Sequence, residues 1–196
     1  ILSGLVGSEM CIRDRAEVVN RSDGYIALSP GLTLSVFDGA RPLRLRQEWS
    51  LPSMLYPGER IPVRLQGEDF ERYSEIKTDW QPAKRAALPG MRPKLDISVD
   101  NTEAAVGTGT LNFTYRFRYK YVVVHGRVRN DDKTEVQNVK VWVSLYDAQD
   151  KLSGAQYSEL KLPKLQPGES APFKVDVKQY GGNFARVAVV YDAKAN

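Results

Sequence analysis

Val139-Lys140-Val141-Trp142-Val143-Ser144-Leu145-Tyr146-Asp147 decides the fold class. Its odd positions through Leu145 are apolar. That period of two puts one apolar row on one face of a half-buried β-strand. A helix would need apolar residues three and four apart, and no helical stripe of more than two turns occurs along the chain. Asp147 then opens a turn, since aspartate bonds its own nearby backbone. Downstream, Ala171, Phe173, Val175 and Val177 alternate in the same way. Between these runs lies Leu165-Gln166-Pro167-Gly168-Glu169, whose Pro-Gly suits the two central positions of a type II turn. Proline presets φ at the first, and glycine accepts positive φ at the second.

The same series occurs earlier in the chain. Leu55-Tyr56-Pro57-Gly58-Glu59 precedes Leu165–Glu169 by 110 residues. Leu34-Ser35-Val36-Phe37-Asp38 precedes Val143–Asp147 by 109, and Val18-Val19-Asn20 precedes Val128-Arg129-Asn130 by 110. Ile76, Thr78 and Trp80 precede Val187, Val189 and Tyr191 by 111. One nearly constant offset across ordered matches indicates two copies of one domain. The first copy has no counterpart of Leu111–Val124, so it is expected to lack its first strand or two and to leave a sheet edge open.

Composition sets further bounds. Residues 5–15 resemble the translation of a sequencing adapter, so fold reasoning begins at Ala16. The only cysteine, Cys11, lies inside that string, which leaves no disulfide, zinc site or thiol nucleophile to expect. The formal charge of +4 is concentrated in residues 80–94, where Lys84, Arg85, Arg92 and Lys94 meet no acid. No run approaches the roughly 18 apolar residues of a membrane helix. The expected organisation is 1–15 adapter-derived, 16–80 a truncated sandwich, 81–94 a Pro-rich basic linker and 95–196 a full sandwich. Short strands punctuated by turns point to antiparallel β-sandwiches.

Val124-His125-Gly126-Arg127-Val128-Arg129-Asn130, then Val143-Ser144-Leu145-Tyr146-Asp147, then Leu165–Glu169 with Phe173 resemble the pattern of the FxLYD family. Val143 stands where that family's name has Phe. The first copy resembles it more loosely, through Val36-Phe37-Asp38. The resemblance implies an all-β chain of two tandem Ig-like antiparallel β-sandwiches, the first truncated at its N-terminus. It also implies an extracytoplasmic setting, in a prokaryotic surface protein or lipoprotein whose anchor lies outside this sequence. The motif residues are turn and core residues, so the resemblance implies no activity.

No residue set names a reaction. His125 is the single histidine, and no serine is tied to it as a nucleophile requires. Asp96, Asp100, Glu103, Asp131, Asp132, Asp147 and Asp150 lack the spacing of a calcium loop and read as turn residues. The segment Phe113–Tyr121 has aromatic odd positions, including Tyr115, Phe117 and Tyr119, and basic even positions Arg116, Arg118 and Lys120. The aromatics pack a core, or they face outward as a platform for sugars or an edge partner. The cations are solvated, or they hold anionic cell-wall polymers or lipid headgroups. Because Val122, Val124 and Val128 are even-numbered, either a bulge lies near Tyr121 or part of the aromatic row points away from the core. Trp142 falls out of phase with Val141 and Val143, which puts it on the opposite face, as edge cover or the domain–domain contact, or as a carbohydrate platform.

These readings predict a non-enzymatic spacer or protein-interaction module, or else an accessory module for glycans or anionic envelope polymers. They predict no cofactor, no metal and no nucleic-acid partner. The ligand-binding candidates are Trp142, Tyr115, Phe117, Tyr119, Arg116, Arg118 and Lys120.

Overall fold

The computed structural model describes residues 15–49, 51–64, 73–81, 83–88, 92–111, 115–178, 180–181 and 183–195. All of their regular elements are β-strands, and the chain divides into two units between Met91 and Arg92. The first unit holds β1 (Arg15–Val19), β2 (Tyr25–Leu28), β3 (Gly31–Asp38), β4 (Arg41–Trp49), β5 (Met54–Leu55), β6 (Arg60–Arg64), β7 (Glu75–Gln81) and β8 (Lys84–Ala87). Its sheets run β1-β6, β5-β2-β8 and β4-β3-β7. The second holds β9 (Leu95–Leu111), β10 (Tyr115–Asn130), β11 (Val136–Tyr146), β12 (Leu152–Glu159), β13 (Ser170–Lys178) and β14 (Arg186–Ala195). Its sheets run β13-β10-β9 and β12-β11-β14, with every pairing antiparallel.

The second unit buries one core between its two sheets. Val122, Val124 and Val128 of β10 and Phe173, Val175 and Val177 of β13 supply one layer. Val139, Val141, Val143 and Leu145 of β11 supply the other, joined by Leu95, Leu165 and Ala193. Fully burying each such aliphatic side chain contributes about 1.5–3 kcal/mol. The strand that decides the fold class is buried on both faces, not one: Trp142, Ser144 and Tyr146 are nearly as inaccessible as Val143 and Leu145 between them. β11 pairs on both sides, so its second face is flanked by β12 and β14. There Trp142 packs on Tyr157, with centroids 5.1 Å apart, and the Arg186 guanidinium lies 4.1 Å over the Tyr146 ring.

The sequence matches become matched pairings. Val18 pairs with Ile61 as Val128 pairs with Ala171, all at an offset of 110. Leu34 sits between Gln47 and Thr78 as Val143 sits between Gln156 and Val189. The β10–β13 sheet has a third strand, β9, whereas among the described residues β1 pairs only with β6. One expectation needs correcting. Lys84–Ala87, read as part of a linker, forms β8 and pairs with β2, placing Arg85 5.9 Å from the Tyr25 ring. Four residues without alternation are poor strand signals alone; the edge of β2 gives them their partners.

An asparagine organises each unit, buried in the second and half-buried in the first. The Asn130 side-chain amide donates to Leu165 O and Thr134 O, both at 2.8 Å, and its Oδ1 accepts the Asp132 N–H at 2.9 Å. Its backbone N–H donates to Glu169 O, and its backbone O accepts the Gly168 N–H. Asn20 repeats the arrangement: its amide donates to Leu55 O and Tyr25 O, and its Oδ1 accepts the Ser22 N–H. Gly58 and Gly168 sit at φ of 78° and 81°, and the Glu59 and Glu169 N–H groups close the turns onto Tyr56 O and Gln166 O. That is the type II geometry expected of Pro-Gly. The motif glycine Gly126 has a different cause: a Cβ there would meet Ser98 O at 2.2 Å, beside the β9–β10 register shift.

Asn130→Ala strands buried carbonyls without donors. It is expected to lower the stability of the second unit by about 2–4 kcal/mol, and Asn20→Ala, at a half-buried site, to cost the first unit less. Urea unfolding of each variant checks this. Because the second unit's core cluster draws only on its own residues, a fragment beginning at Arg92 should melt cooperatively. A broad transition without a baseline would contradict independent units.

Candidate functional site

β9 and β10 continue past the sandwich as a two-stranded arm. Pairing with β13 ends at Tyr121↔Lys178, but Tyr115 through Lys120 still pair with Leu111 through Val106. No register shift falls at Tyr121; the one in this pairing lies between His125 and Gly126. The phase is therefore unbroken from the arm into the sheet. Val122 and Val124 face the core, so Tyr119 and Tyr121 face away from it, with ring centroids 6.1 Å apart. The outward alternative is the one found. Tyr115 and Phe117 occupy the matching positions on the strand, but their side chains lie outside the described residues, as does the whole of Phe113.

Glycine makes room for this row. A Cβ on Gly107, directly across from Tyr119, would meet its ring at 2.7 Å. Gly109 stands across from Phe117. Alternating Gly107-Thr108-Gly109-Thr110 opposite alternating aromatics is a cross-strand match, in which a ring covers the space a glycine leaves open. The sequence reading passed over it, though the shared period of two could have signalled it.

The other face of the arm carries Arg116, Arg118 and Lys120, all exposed. They stand across from Thr110, Thr108 and Val106. Among the described residues, none of the three cations has an ion-pair partner. At the base of the same strand the cations are matched: Arg127 Nε lies 3.0 Å from Asp100, Arg129 Nε 2.8 Å from Asp131, and Lys174 on the neighbouring strand 3.7 Å from Asp176. Salt and water screen exposed pairs, so these contribute little stability. They do neutralise the base, whereas the arm face groups three exposed cations that have no ion pair among the described residues.

Trp142 does not join this site. It lies on β11, in the opposite sheet, and is 1% exposed. A ring so enclosed offers no face to a sugar, so the platform reading is corrected. Lys140 and Glu159 lie near it, paired at 2.7 Å, and the Tyr157 hydroxyl donates to the same carboxylate at 2.9 Å. The hydrogen bond to Glu159 holds the Lys140 ammonium above its ordinary pKa, and the same bond holds Glu159 below.

His125 Nε2 lies 3.7 Å from Glu103 Oε1, beyond hydrogen-bond reach, on the outer face of β10. Asp132 and Asp147 do turn work, whereas Asp96, Asp100 and Glu103, read as turn residues, lie within β9. Asp147 Oδ1 accepts the Gln149 and Lys151 N–H groups, both at 2.9 Å. Asp132 accepts the Lys94 and Lys133 N–H groups at 2.9 and 2.6 Å, fastening the start of β9 to the β10–β11 turn. Among the described residues, no three His, Cys, Asp or Glu side chains gather as metal ligands would, and no helix is long and apolar enough to cross a membrane. Compared with protein-family models and with curated proteins, the chain matches none.

The backbone donors from Lys94, then Lys133, hold the Asp132 carboxyl below the ordinary aspartate pKa. A pKa lower in the folded state than in the unfolded one gives stability that is present above the unfolded value. That stability is lost as pH falls through the folded one. The melting temperature should therefore drop more steeply between about pH 5 and pH 2 in the parent than in Asp132→Asn. Parallel acid limbs for the two proteins would show that the carboxylate carries no folding linkage.

Proposed function

We propose that the protein is a non-enzymatic binding module of an extracytoplasmic, Ig-like, FxLYD-type protein, and that the β9–β10 arm is its contact element. One observation carries this reading: among the described residues, the three exposed cations on one arm face have no ion-pair partner, while Arg127 and Arg129 at the base of the strand are paired. Uncompensated charge on a two-stranded projection favours an anionic polymer as partner, because release of its counterions drives association. The sandwiches supply stiffness and carry the arm. The chain does no chemistry on its ligand.

A protein partner is the second reading, and the outward row of Tyr119 and Tyr121 favours it. Aromatic side chains give large contact area at small entropic cost and are enriched at interfaces. Such a partner would meet the aromatic face and leave the cations solvated.

The two readings separate on substitution. Arg116→Ala, Arg118→Ala and Lys120→Ala together should leave the melting temperature nearly unchanged, since all three side chains are exposed. Retention on an immobilised polyanion, such as polyglycerol phosphate, should fall sharply. The slope of log affinity against log salt should shrink by about one per cation removed. Retention unaffected by the triple substitution would remove the polyanion reading.

A further inference from the structure

Beside β1 the first unit has a groove of about 410 Å³, lined by Val18, Ala27, Pro30, Leu55 and Trp80. Trp80 is 42% exposed, an unusual state for the largest apolar side chain. The repeat says what belongs there. Val18, Ala27, Pro30 and Leu55 correspond to Val128, Val136, Val139 and Leu165, and Trp80 corresponds to Tyr191 through their matched pairings with Leu32 and Val141. In the second unit those four residues share a core cluster with Leu95, the first residue of β9. The approach to that seat is built in detail. The Leu95 N–H donates to Tyr191 Oη at 3.1 Å, and Tyr191 Oη donates to Pro93 O at 3.1 Å. The Arg92 guanidinium lies 4.4 Å over the Tyr191 ring and donates to Tyr191 O at 3.0 Å. Leu95 then pairs with Asn130 and Ile97 with Val128.

We infer that the Trp80 groove is the seat of a β9-like strand of the protein's own polypeptide, running antiparallel to β1. The repeat spacing of 110 carries Arg92–Val99 to positions ahead of Ile1. The strand has a stated chemistry. An aliphatic side chain sits opposite Asn20 and enters the groove between Val18 and Leu55. A proline two residues earlier keeps the approach extended. A cation one residue before that lies over the Trp80 indole, the strongest of the aromatic faces for a cation. Trp80 has no hydroxyl, so the relay that Tyr191 makes between Leu95 and Pro93 is replaced there by ring contact alone. The seated strand makes the two-stranded β1–β6 sheet a three-stranded one, as β9 does for β10 and β13.

The test supplies a strand of known sequence. Residues 92–124 are grafted directly ahead of Arg15 in place of residues 1–14, which keeps the repeat register. Trp80 is read as the difference between each protein and its Trp80→Phe variant. The graft should lower acrylamide quenching of Trp80 several-fold and raise the first unit's melting temperature by about 5 °C or more. Leu95→Asp in the grafted copy alone should abolish both effects. Should the graft fail to fold, a free peptide of residues 92–99 added to the unmodified chain gives the same readout. Saturable protection of Trp80 by that peptide, lost with its Leu95→Asp form, supports the proposal. Unchanged quenching, or equal protection by the Leu95→Asp strand, overturns it. A dimer of the unmodified chain that Trp80→Ala abolishes would assign the groove to a second copy, and would overturn it as well.

Discussion

The constraint on which the rest depends is that a buried amide must satisfy its hydrogen bonds. Asn130 is fully enclosed, and its side chain meets that demand with two backbone carbonyls and one backbone N–H from two different segments. Those segments are the turn between β10 and β11, which holds Asp132 and Thr134, and Leu165 just before the Pro-Gly turn. Aspartate could not substitute, since a carboxylate has no donors for Leu165 O and Thr134 O. Leucine would leave both carbonyls and the Asp132 N–H unpaired, at a cost greater than the bonds themselves contribute. The Pro167-Gly168 turn closes the clasp from the other side, through the Gly168 N–H to Asn130 O. Asn20 with Pro57-Gly58 makes the same clasp, which is why one offset aligns the two units through turns as well as strands.

With both sheets of the second unit clamped at that end, the far end of β9 and β10 need not help hold the core. The core residues of β10 begin at Val122, and pairing with β13 begins at Tyr121. Earlier in β10 the backbone is paired with β9, and the described side chains Arg116, Arg118, Tyr119 and Lys120 belong to no core cluster. An aromatic and glycine match stabilises one face of that arm, and the other face is left to cations. Residues that do not pack a core are where binding can be placed without loss of stability, and three exposed cations stand on this arm.

The fold was legible where it depends on local chemistry. Alternation gave β11 and β13, Pro-Gly gave turns with positive φ at the glycine, and Asp147 gave a turn that its carboxylate does cap. What lay beyond the sequence depends on neighbours in space. A period of two says that Trp142 and Val143 face opposite ways, but not that Tyr157 would close over the tryptophan. The phase conflict near Tyr121 had two solutions in the sequence, and only the β9–β10 register, unbroken through Tyr121, selects the outward one. Lys84–Ala87 has no strand pattern of its own and became β8 because β2 offered an edge. Of the candidate ligand-binding residues, the cations and Tyr119 proved accessible on one arm, and Trp142 did not.

The two units share one set of features and differ at one place. Each has the asparagine clasp, the Pro-Gly turn and a central strand paired on both sides. In the second, Arg92, Pro93 and Leu95 close the end of the sandwich around Tyr191. In the first, the corresponding walls stand around Trp80 with a groove between them. A tryptophan is a costly residue to leave in water, and an open strand edge invites pairing. Both liabilities fall at the one place where the repeat supplies a strand to one copy and, among the described residues, none to the other. The same added strand would relieve both, which is a stronger reason to regard the groove as a seat than its volume or its lining alone.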